Sequence, residues 1–119
     1  NNKSSVTTYT STGKRTTPTI TVGIHGPAGV AVDANGKIYV SNTGSGGPGS
    51  VTTYKPNGSQ SNPTIIKGLD VPEGVAVGAN GEIYVANYEA IVTTYASKGK
   101  RTKPTIKNFP SNIFGIAVH

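Results

Sequence analysis

The chain has 119 residues, room for one ordinary domain, with 34% hydrophobic and 7% aromatic residues and no Trp, Cys or Met. Without cysteine there are no disulfide staples or thiolate metal sites, and no apolar run approaches the roughly 20 residues of a membrane helix, so membrane insertion is not expected. The net charge of +6 would suit an anionic partner, but no aromatics alternate with Lys14, Arg15, Lys98, Lys100, Arg101 and Lys103, so nucleic acid is not indicated and solubilising charge on edge hairpins is the simpler reading.

The N-terminal Asn1 to Ser5 stretch is polar and contains the sequon Asn2-Lys3-Ser4, and a second sequon follows at Asn57-Gly58-Ser59. Such triplets mark glycosylation acceptors, so an extracellular or secreted location is expected. The first element after this stretch is Val6-Thr7-Thr8-Tyr9, a short β-branched strand that returns as Val51 to Tyr54 and Val92 to Tyr95. Pro18-Thr19-Ile20 comes next and recurs at Pro63 to Ile65 and Pro104 to Ile106. Then comes Gly29-Val30-Ala31-Val32, matched by Gly74 to Val77 and Gly115 to Val118. An Asn35-Gly36 turn leads into Ile38-Tyr39-Val40, and Asn80-Gly81 leads into Ile83-Tyr84-Val85.

The period is 45 residues for the first unit and 41 for the second. Four short strands within such a period make a propeller blade, whereas a sandwich would not keep this spacing. Naming the strands A (Gly-Val-Ala-Val), B (Ile-Tyr-Val), C (Val-Thr-Thr-Tyr) and D (Pro-Thr-Ile), the proline in D fits an outer edge strand that need not donate on both sides. The expected fold is therefore all-β, in blades of four antiparallel strands, with about three blades per chain. Residues 1–25 carry strands C and D of one blade, 26–70 and 71–110 are full blades, and 111–119 carry strand A of the next. So small a set leaves apolar blade faces uncovered, and the expected partner is a second copy, a homodimer completing a six-bladed ring.

The residues Pro27-x-Gly29-Val30-Ala31-Val32-Asp33, followed by Gly36-x-Ile38-Tyr39-Val40-x-Asn42, resemble the NHL-repeat blade, shared in outline with streptogramin-lyase-like propellers. The resemblance runs in register along the chain, with 12 of 17 positions identical between residues 26–42 and 71–87. It departs from the usual pattern in having Asn42 and Asn87 after strand B, where an Asp is common, and in lacking Asn-x-Arg before strand C.

The extra residues of the longer unit all fall between Asn42 and Val51, in the B–C loop, against the shorter Tyr88 to Ile91 of the next blade. Connectivity puts the B–C and D–A loops at the same end of the blades, and scaffold loops are where specificity varies. The candidate ligand residues at this end are His25, Asn42, Asp70, Glu73, Asn87, Tyr88, Asn112 and Phe114. Asp33 and Glu82 lie at the other end, beside the Asn-Gly turns, and most simply support them. The repeated tyrosines read as inter-blade packing with their hydroxyls at the surface. No nucleophile elbow, phosphate loop or metal-ligand spacing is present, so neither a metal nor a cofactor is expected.

The expected function is a non-catalytic binding or interaction module, with a glycan (in a lectin-like mode) or a protein as its ligand. Two alternatives stand beside it. The resemblance to lyase propellers implies that His25 could serve as an acid–base group in a lyase or hydrolase, and the chain could instead be a self-assembling structural segment without a small ligand.

Overall fold

The computed structural model describes residues 4–44, 49–66, 68–88 and 91–106. Strand β1 (Val6–Tyr9) pairs with β2 (Arg15–Ile20) in a two-stranded sheet. Strands β3 (Pro27–Val32), β4 (Ile38–Asn42), β5 (Ser50–Tyr54) and β6 (Gln60–Ile65) form a four-stranded sheet in sequence order. The same order holds for β7 (Pro72–Val77), β8 (Ile83–Asn87), β9 (Ile91–Tyr95) and β10 (Arg101–Ile106). All pairings are antiparallel. The strand expected at Gly115 to Val118 lies outside the described residues.

Alternation along each strand sends neighbouring side chains to opposite faces, which lets one sheet serve two cores. Ile38 and Val40 face the two-stranded sheet and pack with Ile20, Ile24 and Tyr54. Tyr39 and Val51 face the other way and pack with Val75, Ile83, Val85 and Tyr95. The sheets are thus stacked face to face, with the inner strands β3 and β7 in contact. Gly29 permits that approach, since a Cβ there would stand 3.0 Å from the Gly74 Cα and 3.0 Å from the Ser41 Oγ.

One turn geometry closes the five A–B and C–D hairpins. In the β3–β4 hairpin the Gly36 amide donates to the Asp33 carbonyl at 3.0 Å and the Asp33 amide to the Lys37 carbonyl at 3.0 Å. Equivalent pairs of bonds close the hairpins at Gly13, Gly58, Gly81 and Gly99. This is a three-residue loop ending in a glycine at positive φ, 84° at Gly36 and 93° at Gly58. The sequence reading of a two-residue Asn-Gly turn therefore has the right glycine and one loop residue too few, because Asn35 keeps an ordinary φ.

Strand D does more than sit at an edge. Its pairing with strand C shifts register between Val51 and Thr53, around Pro63, which has no amide to give to the ladder. The hydroxyls of Thr53 and Thr8 fill in by donating to the carbonyls of Pro63 at 2.8 Å and Pro18 at 2.7 Å.

The tyrosines of strand C correct the sequence reading. Tyr54 and Tyr95 are fully buried, hydroxyl included, while Tyr9 is 55% exposed. The Tyr54 hydroxyl donates to the Val22 carbonyl at 2.6 Å, on the segment leaving the preceding sheet, because burial leaves it no water to bond. Burial, reinforced by the Asp33 carboxylate and its 3.2 Å hydrogen bond, pushes the Tyr39 hydroxyl up to about 12.

Candidate functional site

The D–A and B–C loops meet at one end of the sheets, as connectivity requires. Asn42, the last residue of β4, is wholly buried and all its amide atoms are engaged. Its Oδ1 accepts from the His25 amide at 3.0 Å, and its Nδ2 donates to the Val40 carbonyl, the Ser50 Oγ and the Thr52 Oγ1. Asn87 repeats this at the end of β8, accepting from the Asp70 amide at 3.0 Å and donating to the Val85 carbonyl, the Ile91 carbonyl and the Thr93 Oγ1. Both asparagines therefore work inside the fold, fastening a D–A loop to a B–C loop.

Backbone bonds complete the fastening. The Thr43 amide donates to the Gly26 carbonyl and the Gly44 amide to the His25 carbonyl, both at 2.9 Å. In the next sheet the Tyr88 amide reaches the carbonyls of Asp70 at 3.0 Å and Val71 at 3.2 Å. Val71 has a φ of 51°, costly for a β-branched residue, where the preceding repeat has Gly26 at 64°. The loop at residues 70–72 is thus held in a strained shape by its bonds to Asn87 and Tyr88.

These pins present the remaining candidates to solvent. His25 and Asp70 are exposed, and Tyr88 is 45% exposed. Nothing among the described residues hydrogen-bonds the His25 imidazole, so no described neighbour orients it as a base. Glu73, on the inner strand β7, is half-buried, and its Oε1 is sheltered from solvent without a hydrogen-bond partner among the described residues. Its equivalent in the preceding repeat is Ala28, which is exposed. Asn112 and Phe114 lie outside the described residues, as do residues 45–48 of the long B–C loop. Among the described residues no three His, Asp or Glu side chains gather closely enough to hold a metal ion.

The structure brings His25 together with Asn42, and Asp70 with Asn87 and Tyr88. Sequence reasoning puts these residues at one end of the blades but misses that the asparagines are pins. The signal was available: each precedes its strand C at the end of strand B, and each lies 17 residues after the amide it holds.

No family model matches the chain, and no curated protein does. Among solved structures, it is similar to the hydrazine synthase of Kuenenia stuttgartiensis, with a TM-score of 0.64 and 22% identity over 81% of this chain. It is also similar to a protein from Lactobacillus plantarum, with a TM-score of 0.52 and 21% identity over 76% of this chain. The chain spans 27% of the first and 30% of the second. These likenesses concern the fold, and with the stacked antiparallel sheets they support a propeller-like all-β architecture.

Proposed function

We propose that the chain is a non-catalytic binding module of NHL-like propeller type, taking a hydroxylated ligand, a glycan, at the end formed by the D–A and B–C loops. The observation that carries this reading is the unpartnered Glu73 Oε1. A sheltered oxygen without a donor costs on the order of 1–3 kcal/mol, and a ligand hydroxyl would recover it once the half-buried Glu73 side chain turns that oxygen outward. The pinned loops supply the rest: a platform already ordered before the ligand arrives, with His25, Asp70 and Tyr88 on its surface. A place outside the cell suits such a ligand and the Asn57-Gly58-Ser59 sequon, whose Asn57 is exposed.

A glycan array identifies the ligand, and Glu73→Gln then tests the site. Gln keeps the size of Glu73 but loses the charge that strengthens the bond, so affinity should fall about tenfold or more with an unchanged circular dichroism spectrum. An array without binding above background, or full affinity in the variant, would sink the proposal.

The assembly we propose is a ring of about six blades closed by a second copy. Val30 and Val32 on β3 are 54% and 60% exposed, whereas Val75, the equivalent of Val30 on β7, is 4% exposed because β3 covers it. The face that β7 buries is thus left open on β3, and burying it would gain roughly 25 cal/mol per Å2 of apolar area. Light scattering should give a mass near twice 12.2 kDa, with Val30→Asp shifting it towards one chain. A monodisperse single-chain mass for the unmodified protein would refute the ring.

A further inference from the structure

At the opposite end of the sheets, a cleft of about 500 Å3 opens between the A–B hairpins. Val32 and Val77, one from each hairpin, line it together with Asp33, Lys37, Asn80 and Ser97. The two valines are the same residue at equivalent positions of the repeat, as are Asn35 and Asn80, but the rest of the polar lining is not repeated. Asp33 corresponds to Gly78, Lys37 to Glu82, and Ser97 to Pro56.

Those differences make the cleft. At the first hairpin Asp33 supports the turn, its Oδ1 accepting from the Asn35 amide at 2.9 Å and the Lys37 amide at 3.0 Å. At the second the turn is supported by Asn80, whose Oδ1 accepts from the Glu82 amide at 3.0 Å, and Gly78 leaves clear the space an acid would fill. Lys37 holds its ammonium 5.8 Å over the Tyr39 ring and makes no ion pair with any described residue. The Asn80 Nδ2 and Ser97 Oγ likewise make no hydrogen bond to a described residue. The lining therefore offers free donors from Lys37, Asn80 and Ser97, a carboxylate acceptor in Asp33, and aliphatic surface from both valines.

That combination fits one class of small molecule. A simple anion would use the donors but would meet the Asp33 carboxylate, and a purely apolar ligand would leave the donors unpaired. A sugar ring uses every component: hydroxyls for the donors and the carboxylate, and a C–H face for the valines. We propose that the cleft is a second saccharide site, taking one sugar ring or a disaccharide, a volume within the usual range of small-molecule pockets. It rests on different residues from the loop-end site and stands whether or not that site binds glycans.

The test is an NMR titration of the labelled 119-residue chain with methyl glycosides of glucose, galactose, mannose, N-acetylglucosamine and glucuronic acid, and with lactose and cellobiose. The backbone amides of Asn35, Lys37, Asn80 and Glu82 should shift saturably with at least one of these sugars. Gly78→Asp, which copies the residue found at position 33, should weaken that binding about tenfold or more by filling the cleft. Ser97→Pro, which copies position 56, should weaken it too and decides the matter if Gly78→Asp disturbs the fold. Glu73→Gln should leave these shifts unchanged, which separates this site from the loop-end one. The proposal is overturned if none of the sugars moves the four amides saturably, or if both cleft variants that keep the native spectrum bind as the unmodified chain does.

Discussion

Asn87→Asp is expected to lower the stability of the fold by about 3 kcal/mol or more, read as a fall in the urea midpoint. The substitution is nearly isosteric and keeps an acceptor for the Asp70 amide. It replaces the Nδ2 donor with a second carboxylate oxygen, which then faces the carbonyls of Val85 and Ile91 at distances where Asn87 now makes hydrogen bonds of 3.2 Å. Asn87 is 1% exposed, so a charge introduced there is shielded from water and surrounded by acceptors. Asn80→Asp is the control, because Asn80 is exposed and uses only its oxygen, towards the Glu82 amide, as Asp33 does towards the Lys37 amide. That variant should change stability by less than about 0.5 kcal/mol. Equal effects at the two positions would show that the buried asparagine is not a pin.

Gly49→Ala should be comparably damaging, at about 3 kcal/mol. Gly49 has a φ of 91°, and a Cβ there would stand 2.4 Å from the Asn42 carbonyl oxygen and 2.5 Å from the Pro72 Cδ. Neither neighbour is the far end of a flexible side chain, so the B–C loop or the start of β7 must move. Gly13 has the same φ of 91° with nothing within 4 Å of a Cβ, so Gly13→Ala measures the conformational cost alone, about 1 kcal/mol. The difference between the two urea midpoints isolates the collision, and no difference would mean that the loop yields freely.

How much of this was legible in the sequence depended on whether a feature repeats. The strands and their order were legible because Val-Thr-Thr-Tyr, Pro-Thr-Ile and Gly-Val-Ala-Val recur at fixed spacing, and a strand pattern needs only alternation and a turn residue to declare itself. The hairpin glycines were legible for the same reason, but the loop length was not, since Asn35-Gly36 satisfies both a two-residue and a three-residue turn until the bond from Gly36 to Asp33 is seen. The burial of the Tyr54 hydroxyl is not legible because its partner lies on the segment leaving the preceding sheet: Val22 is 32 residues before Tyr54, with no sequence mark to distinguish its carbonyl. Asn42 and Asn87 look like ligand residues by their place beside the loops, yet they repeat, and repetition is the signature of a part that holds the frame. Glu73 and Gly78 are the reverse case, single departures from the repeat whose meaning depended on what stands around them.

The five hairpins have a consequence for how this protein can change over generations. Each is locked by two main-chain bonds and one glycine; Asn57 and Asn80 add a side-chain bond to their turns, and the identity of the other tip residues hardly enters the closure. Those tips are Ser11-Thr12, Ala34-Asn35, Pro56-Asn57, Ala79-Asn80 and Ser97-Lys98, four different pairs, Ala-Asn occurring twice, on one backbone shape. Mutation can therefore wander across that rim almost freely, trading a proline for a serine or a lysine for a glutamate, while the frame beneath stays fixed. New specificities would accumulate there first, at little cost to folding.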